Sequence, residues 1–181
     1  MSLITLDEAR SQLGIGNGDV NDDGLLASYV EGATAAVEAY LGEVVDERSC
    51  TDYIHADGSG RMLLQHTPVI SLTSITSAAD SSTTWDVGDH KVLARSGVVL
   101  TTSGPNPVGI VEVVYQAGYA TPPENYRLAA LVILQHNWET QRGVGSLGGG
   151  VIGPEERMIS STYAIPRKAL EWLGPATPAV A

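Results

Sequence analysis

The sequence predicts an α+β fold, a helical bundle with an inserted antiparallel β-sheet or small barrel, and three observations predict it. Helical runs lie towards both ends of the chain, in residues 1–43 and 120–174: a stripe at three-and-four spacing near the start and a run apolar on every side near the end. Between them, residues 44–119 alternate short β-branched runs with turn chemistry and carry no helical period. The length of 181 residues suits a single domain able to bury a core without staples.

Each element has a local reason. Thr5-Leu-Asp-Glu8 spells a capping box, so a short helix starts there and runs to about Leu13, where the Gly14-Ile-Gly16-Asn-Gly18 cluster stops it. Asp22 or Asp23 caps a longer helix from about Gly24 to Leu41. Leu26, Val30, Ala33, Val37, Tyr40 and Leu41 make its buried stripe, and Gly42 ends it. The β-rich segment contains the runs Met62–Leu64, Pro68–Thr76, Lys91–Ala94, Gly97–Leu100 and Gly109–Tyr115. Asp57-Gly-Ser-Gly60, Asp80-Ser-Ser82 and Ser103-Gly-Pro-Asn-Pro107 separate them as turns. Five or six short strands with no helix between them imply antiparallel pairing. Pro122-Pro123 opens a helix to about Arg142 whose centre, Leu128–Leu134, is apolar on every side. Such a helix is buried all round, most easily if part of it packs on another subunit. Residues 143–153 hold six glycines in eleven positions, a flexible loop. Pro166 opens a last short helix through Leu173, and 175–181 form a loose tail.

Composition excludes several functions. Apolar residues make up 43% and charged residues 17%, Phe is absent, and the single cysteine, Cys50, leaves no disulfide framework or multi-cysteine zinc site. No apolar run reaches the ~20 residues of a bilayer span and no basic leader is present, so the expectation is a soluble protein of a reducing cytoplasm. The net charge of −11 is lopsided: residues 1–60 hold twelve acidic side chains against Arg10 and Arg48, and residues 61–181 hold nine against eight basic. Clustered Lys and Arg are missing, which argues against sequence-specific nucleic-acid binding.

The tempting motifs fall short. Asp19-Val-Asn21-Asp22-Asp23-Gly24 has the first half of a calcium loop, but position twelve is Val30 and Glu31 comes one residue late. An Asp-rich helix cap is the favoured reading, and tight calcium binding is not expected. The glycine run lacks the lysine of a phosphate loop and follows a helix rather than a strand. Gly145-Ser146-Leu-Gly148 is not a nucleophile elbow, and His55, His66, His90 and His136 share no ligand spacing. Cys50 is expected to be a small buried residue, and Glu155-Glu156-Arg157 a solvated cluster. No catalytic, metal or cofactor site is expected. Trp138 and Arg142 share one helix face where the apolar helix meets the glycine loop. A core Trp with a solvated Arg and an interface pair are equally good readings of them.

Ile4-Thr-Leu-Asp-Glu-Ala-Arg10, Asp22-Asp-Gly-Leu-Leu26 and Ala35-Ala-Val-Glu-Ala-Tyr-Leu-Gly42 are followed by Leu64-Gln-His-Thr-Pro-Val69, Val111-Glu-Val-Val-Tyr-Gln-Ala-Gly-Tyr119 and Pro122-Pro123. Then come the helix ending in Gln135-His-Asn-Trp138 and Arg142, the glycine-rich loop, and Ile165-Pro166 before a short amphipathic helix. In this order, over nearly the whole chain, the segments resemble tailed-phage head–tail connector proteins, also called adaptor or head-completion proteins. The resemblance implies a non-enzymatic ring subunit, usually of twelve-fold symmetry. Such a ring sits under the portal protein and joins the DNA-filled capsid to a neck, stopper or tail-completion protein. It implies a place at the head–tail junction of the virion after synthesis in the bacterial host cytoplasm. DNA passes through the ring without specific binding, and no membrane is involved. Subunit contacts are expected on the 124–142 helix, at Leu128, Leu131, Leu134, Trp138 and Arg142. Portal or neck contacts are expected on the loop, at Gly148, Gly149 and Gly150, and on the C-terminal segment at Trp172. The rival readings are a calcium- or carbohydrate-binding β module using Asp19–Asp23, a neighbouring neck or stopper protein, and an unrecognised hydrolase.

Overall fold

The structure, a computed structural model, describes residues 3–16, 22–80, 82–142 and 165–175. It divides into two compact units, one of Glu43–Pro122 and one in which Ser2–Gly42 and Pro123–Ala181 come together.

The second unit is helical. Helix α1 (Leu6–Leu13) begins at the expected capping box: the Glu8 amide donates to Thr5 Oγ1 at 3.2 Å, and the Thr5 amide donates back to Glu8 Oε2 at 2.8 Å. Gly14 and Gly42 end α1 and α2 (Asp23–Leu41) in the left-handed conformation, with φ of 68° and 69°. Asp22 is the N-cap residue of α2. Helices α3 (Glu124–Arg142) and α4 (Arg167–Leu173) complete the bundle. Its core takes Leu26, Val30, Ala33 and Val37 from α2, Ala129, Ala130, Ile133 and Leu134 from α3, and Ala169 and Leu173 from α4. Arg127 on α3 pairs with Glu124 and reaches Glu8 on α1, which ties the short helix down.

The capping box makes α1 sensitive to acid. The Thr5 amide, first among the causes, and then the Thr5 hydroxyl and Arg127 hold the Glu8 carboxyl below its ordinary 4.5. A depressed carboxyl adds stability that is complete above its unfolded pKa and is lost as pH falls through the lower folded value. Acid titration followed by amide exchange is therefore expected to open α1 only below pH 4.5, and Glu8→Gln to remove that step. Opening above that pH, or an unchanged profile in the variant, would contradict the assignment.

The first unit is built of strands, with one short 3-10 turn at Val87–Asp89. Seven strands, β1 (Arg48–Asp57), β2 (Arg61–Leu63), β3 (Val69–Ser77), β4 (Thr84–Trp85), β5 (His90–Leu93), β6 (Val98–Thr101) and β7 (Val108–Ala117), pair antiparallel throughout. They form a four-stranded sheet ordered β1-β7-β3-β4 and a three-stranded sheet ordered β2-β6-β5. The alternative of a small closed barrel gives way to two open sheets over one core, which holds Ala56, Met62, Leu64, Ile75, Val99, Val111, Val113 and Tyr115. β1 and β4 are strands that no apolar run announced. The inward positions of β1 include Asp52, polar where the alternating pattern asks for an aliphatic. Gly118 closes β7 at φ 107°, where a Cβ would stand 2.5 Å from the Asp46 carbonyl oxygen, so the chain passes there only as glycine.

Candidate functional site

Helix α3 carries most of the contact residues expected from the sequence. It is not enclosed on every side within its own chain. Ala129 and Ala130 let the helix lie close in the bundle, and Ile133, Leu134 and Trp138 continue that buried face. Leu128 is exposed, with Leu131 and Val132 half-buried beside it, so they form a partly wetted aliphatic stripe. The nine expected contact residues therefore separate. Leu134 is fully enclosed in the bundle, and Trp138 is buried with its ring edge-to-face on Tyr29, centroids 5.5 Å apart. Leu128 and Leu131 face outward. Trp172 is exposed on α4, where its carbonyl accepts from Asn125 Nδ2 at 2.8 Å, which joins the end of α4 to the first turn of α3. Tyr40 ties the same end down by donating to the Gly174 carbonyl at 3.0 Å. Gly148, Gly149, Gly150, the Glu155–Arg157 cluster and the side chain of Arg142 lie outside the described residues.

Of the tentative calcium loop, residues 17–21 are likewise outside the described set. Asp23, within it, is engaged: Arg10 Nη2 donates to both carboxylate oxygens at 2.6 Å. Among the described residues no group of three or more His, Cys, Asp or Glu could hold a metal ion. No helix among them is long and apolar enough to cross a membrane.

The β unit holds a polar cluster that sequence reading missed. Asp52 is buried on the inner face of β1. Its carboxylate accepts from the Tyr115 hydroxyl and from the Gln65 amide, both at 2.7 Å. His66 Nδ1 lies 3.3 Å from the other carboxylate oxygen, and the His66 amide donates to Tyr115 Oη at 3.0 Å. Burial first, and the bond to Asp52 second, push the Tyr115 phenol far above its ordinary pKa. A phenol held protonated and aimed at a carboxylate is a poor nucleophile and a good clamp. The cluster pins the 64–68 connection to the sheet rather than presenting reactive atoms.

Both sheets of this unit also carry apolar side chains on the face turned away from the shared core. On the four-stranded sheet Tyr53, Val108 and Ile110 are 62%, 64% and 55% exposed; on the three-stranded sheet Leu63 and Leu93 are 63% and 44% exposed. The signal was in β7, whose run Val108–Ala117 is apolar on both parities instead of alternating.

The sequence matches the model of a family described as head completion protein over residues 2–166. No curated protein matches it. Among solved structures, a chain from the neck of an empty GTA particle computed with C6 symmetry is similar, with 18% identity and a TM-score of 0.68 over 98% of this chain and 92% of that one. A chain from the virion of a native gene transfer agent (GTA) particle is 20% identical, with a TM-score of 0.64 over 98% and 92%. A third, from the neck of a native GTA particle computed with C12 symmetry, is 18% identical, with a TM-score of 0.62 over 97% and 90%. These likenesses extend through both units and show the fold.

Proposed function

The chain belongs to the head completion protein family of structural virion proteins, and on that premise we propose that copies of it close a ring beneath the portal and join the filled head to the neck or tail. The family match over residues 2–166 is the observation that carries this reading. As a structural head–tail connector subunit, the protein works by holding position, and no catalytic step is assigned to it. Twelve copies would follow the symmetry of the portal; one similar chain comes from a neck computed with C12 symmetry.

The surfaces fit that work. Leu128 and Leu131 on the outer side of α3 are contacts for a neighbouring subunit, with Arg142 at the end of the same helix. The loop around Gly148, Gly149 and Gly150 and the exposed Trp172 are contacts for portal or neck. A chain of net charge −11 with only two lysines repels a passing phosphate backbone, so DNA slides through the ring without specific binding.

The test compares stability with assembly. Leu128→Glu replaces a partly exposed side chain on the helix surface, so the melting temperature is expected to move by no more than a few degrees. Complementation of a virus lacking the gene is expected to fail, leaving filled heads without tails. Full complementation by Leu128→Glu would remove α3 from the interface. Tailed particles formed with the gene deleted would overturn the connector reading itself.

A further inference from the structure

The two sheets of the β unit share one core, so their outer faces point in opposite directions, and these faces differ in kind. In the three-stranded sheet, Leu63, Val98 and Leu93 stand in one outward row across all three strands. The next outward row is Arg61, Leu100 and Lys91. This face is aliphatic with two exposed cations, in a chain that has only ten Lys and Arg altogether. The four-stranded sheet turns out Tyr53 opposite Glu112, His55 opposite Ile110, and Asp57 opposite Val108. That face is aromatic and aliphatic with two carboxylates. Glu112, opposite Tyr53, raises the Tyr53 phenol above its ordinary pKa through a side-chain hydrogen bond.

Exposed apolar side chains gathered on one sheet face mark a contact surface. Two such faces on opposite sides, with cations on one and carboxylates on the other, are complementary to each other rather than to themselves. Like-charged faces would repel in an isologous pair. A contact between the two different faces is heterologous, and repeated it makes a ring or a filament.

We propose that the outer face of the three-stranded sheet, centred on Leu63 and Leu93 with Arg61 and Lys91, docks on the outer face of the four-stranded sheet of a second copy, centred on Tyr53 and Ile110 with Glu112 and Asp57. The proposal rests on the ring reading above and names a surface of that ring in the β unit, separate from α3. The apolar centre carries the affinity and the charged residues set the direction.

The experiment uses two full-length variants, Leu63→Glu and Ile110→Lys, each disabling one face at an exposed position. Circular dichroism and melting curves, expected to match wild type, show that both fold. In sedimentation velocity at rising concentration, wild type is expected to form oligomers, and each variant alone to associate about tenfold to a hundredfold more weakly. Mixed in equal amounts, the variants retain one intact face each, so they are expected to form a one-to-one dimer that grows no further. Charge reversal gives the second arm: Arg61→Glu with Lys91→Glu weakens association, and adding Asp57→Lys and Glu112→Lys in the same chain restores it. Unchanged association in either single variant would overturn the proposal. So would a mixture that stays monomeric, or a wild type that stays monomeric throughout. Full complementation of tail joining by both variants would overturn this surface while leaving the connector reading standing. A gene deletion that still yields tailed particles would instead remove the connector reading beneath it.

Discussion

Asp52→Ala is expected to destabilise the β unit by about 3 kcal/mol, because the carboxylate is the shared acceptor of a buried network. Its loss takes the acceptor from the buried Tyr115 hydroxyl and the part-buried Gln65 amide, both now bonded to it at 2.7 Å. A donor left unmatched in a buried position costs about 1–3 kcal/mol, and a hydrogen bond to a charged acceptor is itself worth about 1.5–3 kcal/mol. For a chain of this length the substitution should lower the melting temperature by roughly 10 °C. Asp52→Asn keeps one carbonyl oxygen as acceptor and should cost less. Tyr115→Phe, which takes one donor away and leaves the ring packed, should cost about 1–2 kcal/mol. Denaturant unfolding of the three variants decides the point. Equal, small losses in all three would mean that the network contributes no more than packing.

That network also shows where the sequence stops being legible. A capping box, a left-handed glycine after a helix and a proline at the N-cap are local agreements between neighbours. α1, the end of α2 and the start of α4 could therefore be read from a few residues each. Asp52 is a polar residue at an inward strand position, satisfied by Tyr115 some sixty positions away and by the 64–68 connection. No window of the sequence contains both ends of such a bond, and without the partner the strand around Asp52 lacks its pattern. The choice between open sheets and a closed barrel has the same character, since closure depends on which strands meet at the sheet edges.

The outward residues of α3 were legible only as a group. Seven consecutive apolar residues, Leu128–Leu134, state that the helix is buried, and say nothing of which side its own chain covers. The small side chains decide that: Ala129 and Ala130 approach the bundle closely, which rotates Leu128 and Leu131 outward. The same ambiguity runs through β7, where Val108 and Ile110 on the exposed parity look in sequence like Val111 and Val113 on the buried one. In both elements apolar residues exceed what the core takes up, and the proposed contacts draw on that surplus.

Trp138→Ala carries the other large effect, and it separates a fold residue from an interface residue at the end of α3. The indole is buried in the bundle and meets Tyr29 of α2 edge-to-face, with an interplanar angle of 72°. Truncation removes that pair and leaves a cavity between two helices, which costs about 3–5 kcal/mol in a core that cannot collapse fully. Trp138 also stands one turn before the end of α3, so loosening it releases the last turn from which the segment beyond Arg142 departs. The expected result is a large fall in melting temperature together with a fall in tail joining, the two moving in proportion across Trp138→Phe and Trp138→Ala. Leu128→Glu should instead lose assembly at nearly constant stability. If Trp138→Ala kept its melting temperature and lost only tail joining, the indole would belong to a partner's surface, and the packing on Tyr29 would contribute little to the bundle.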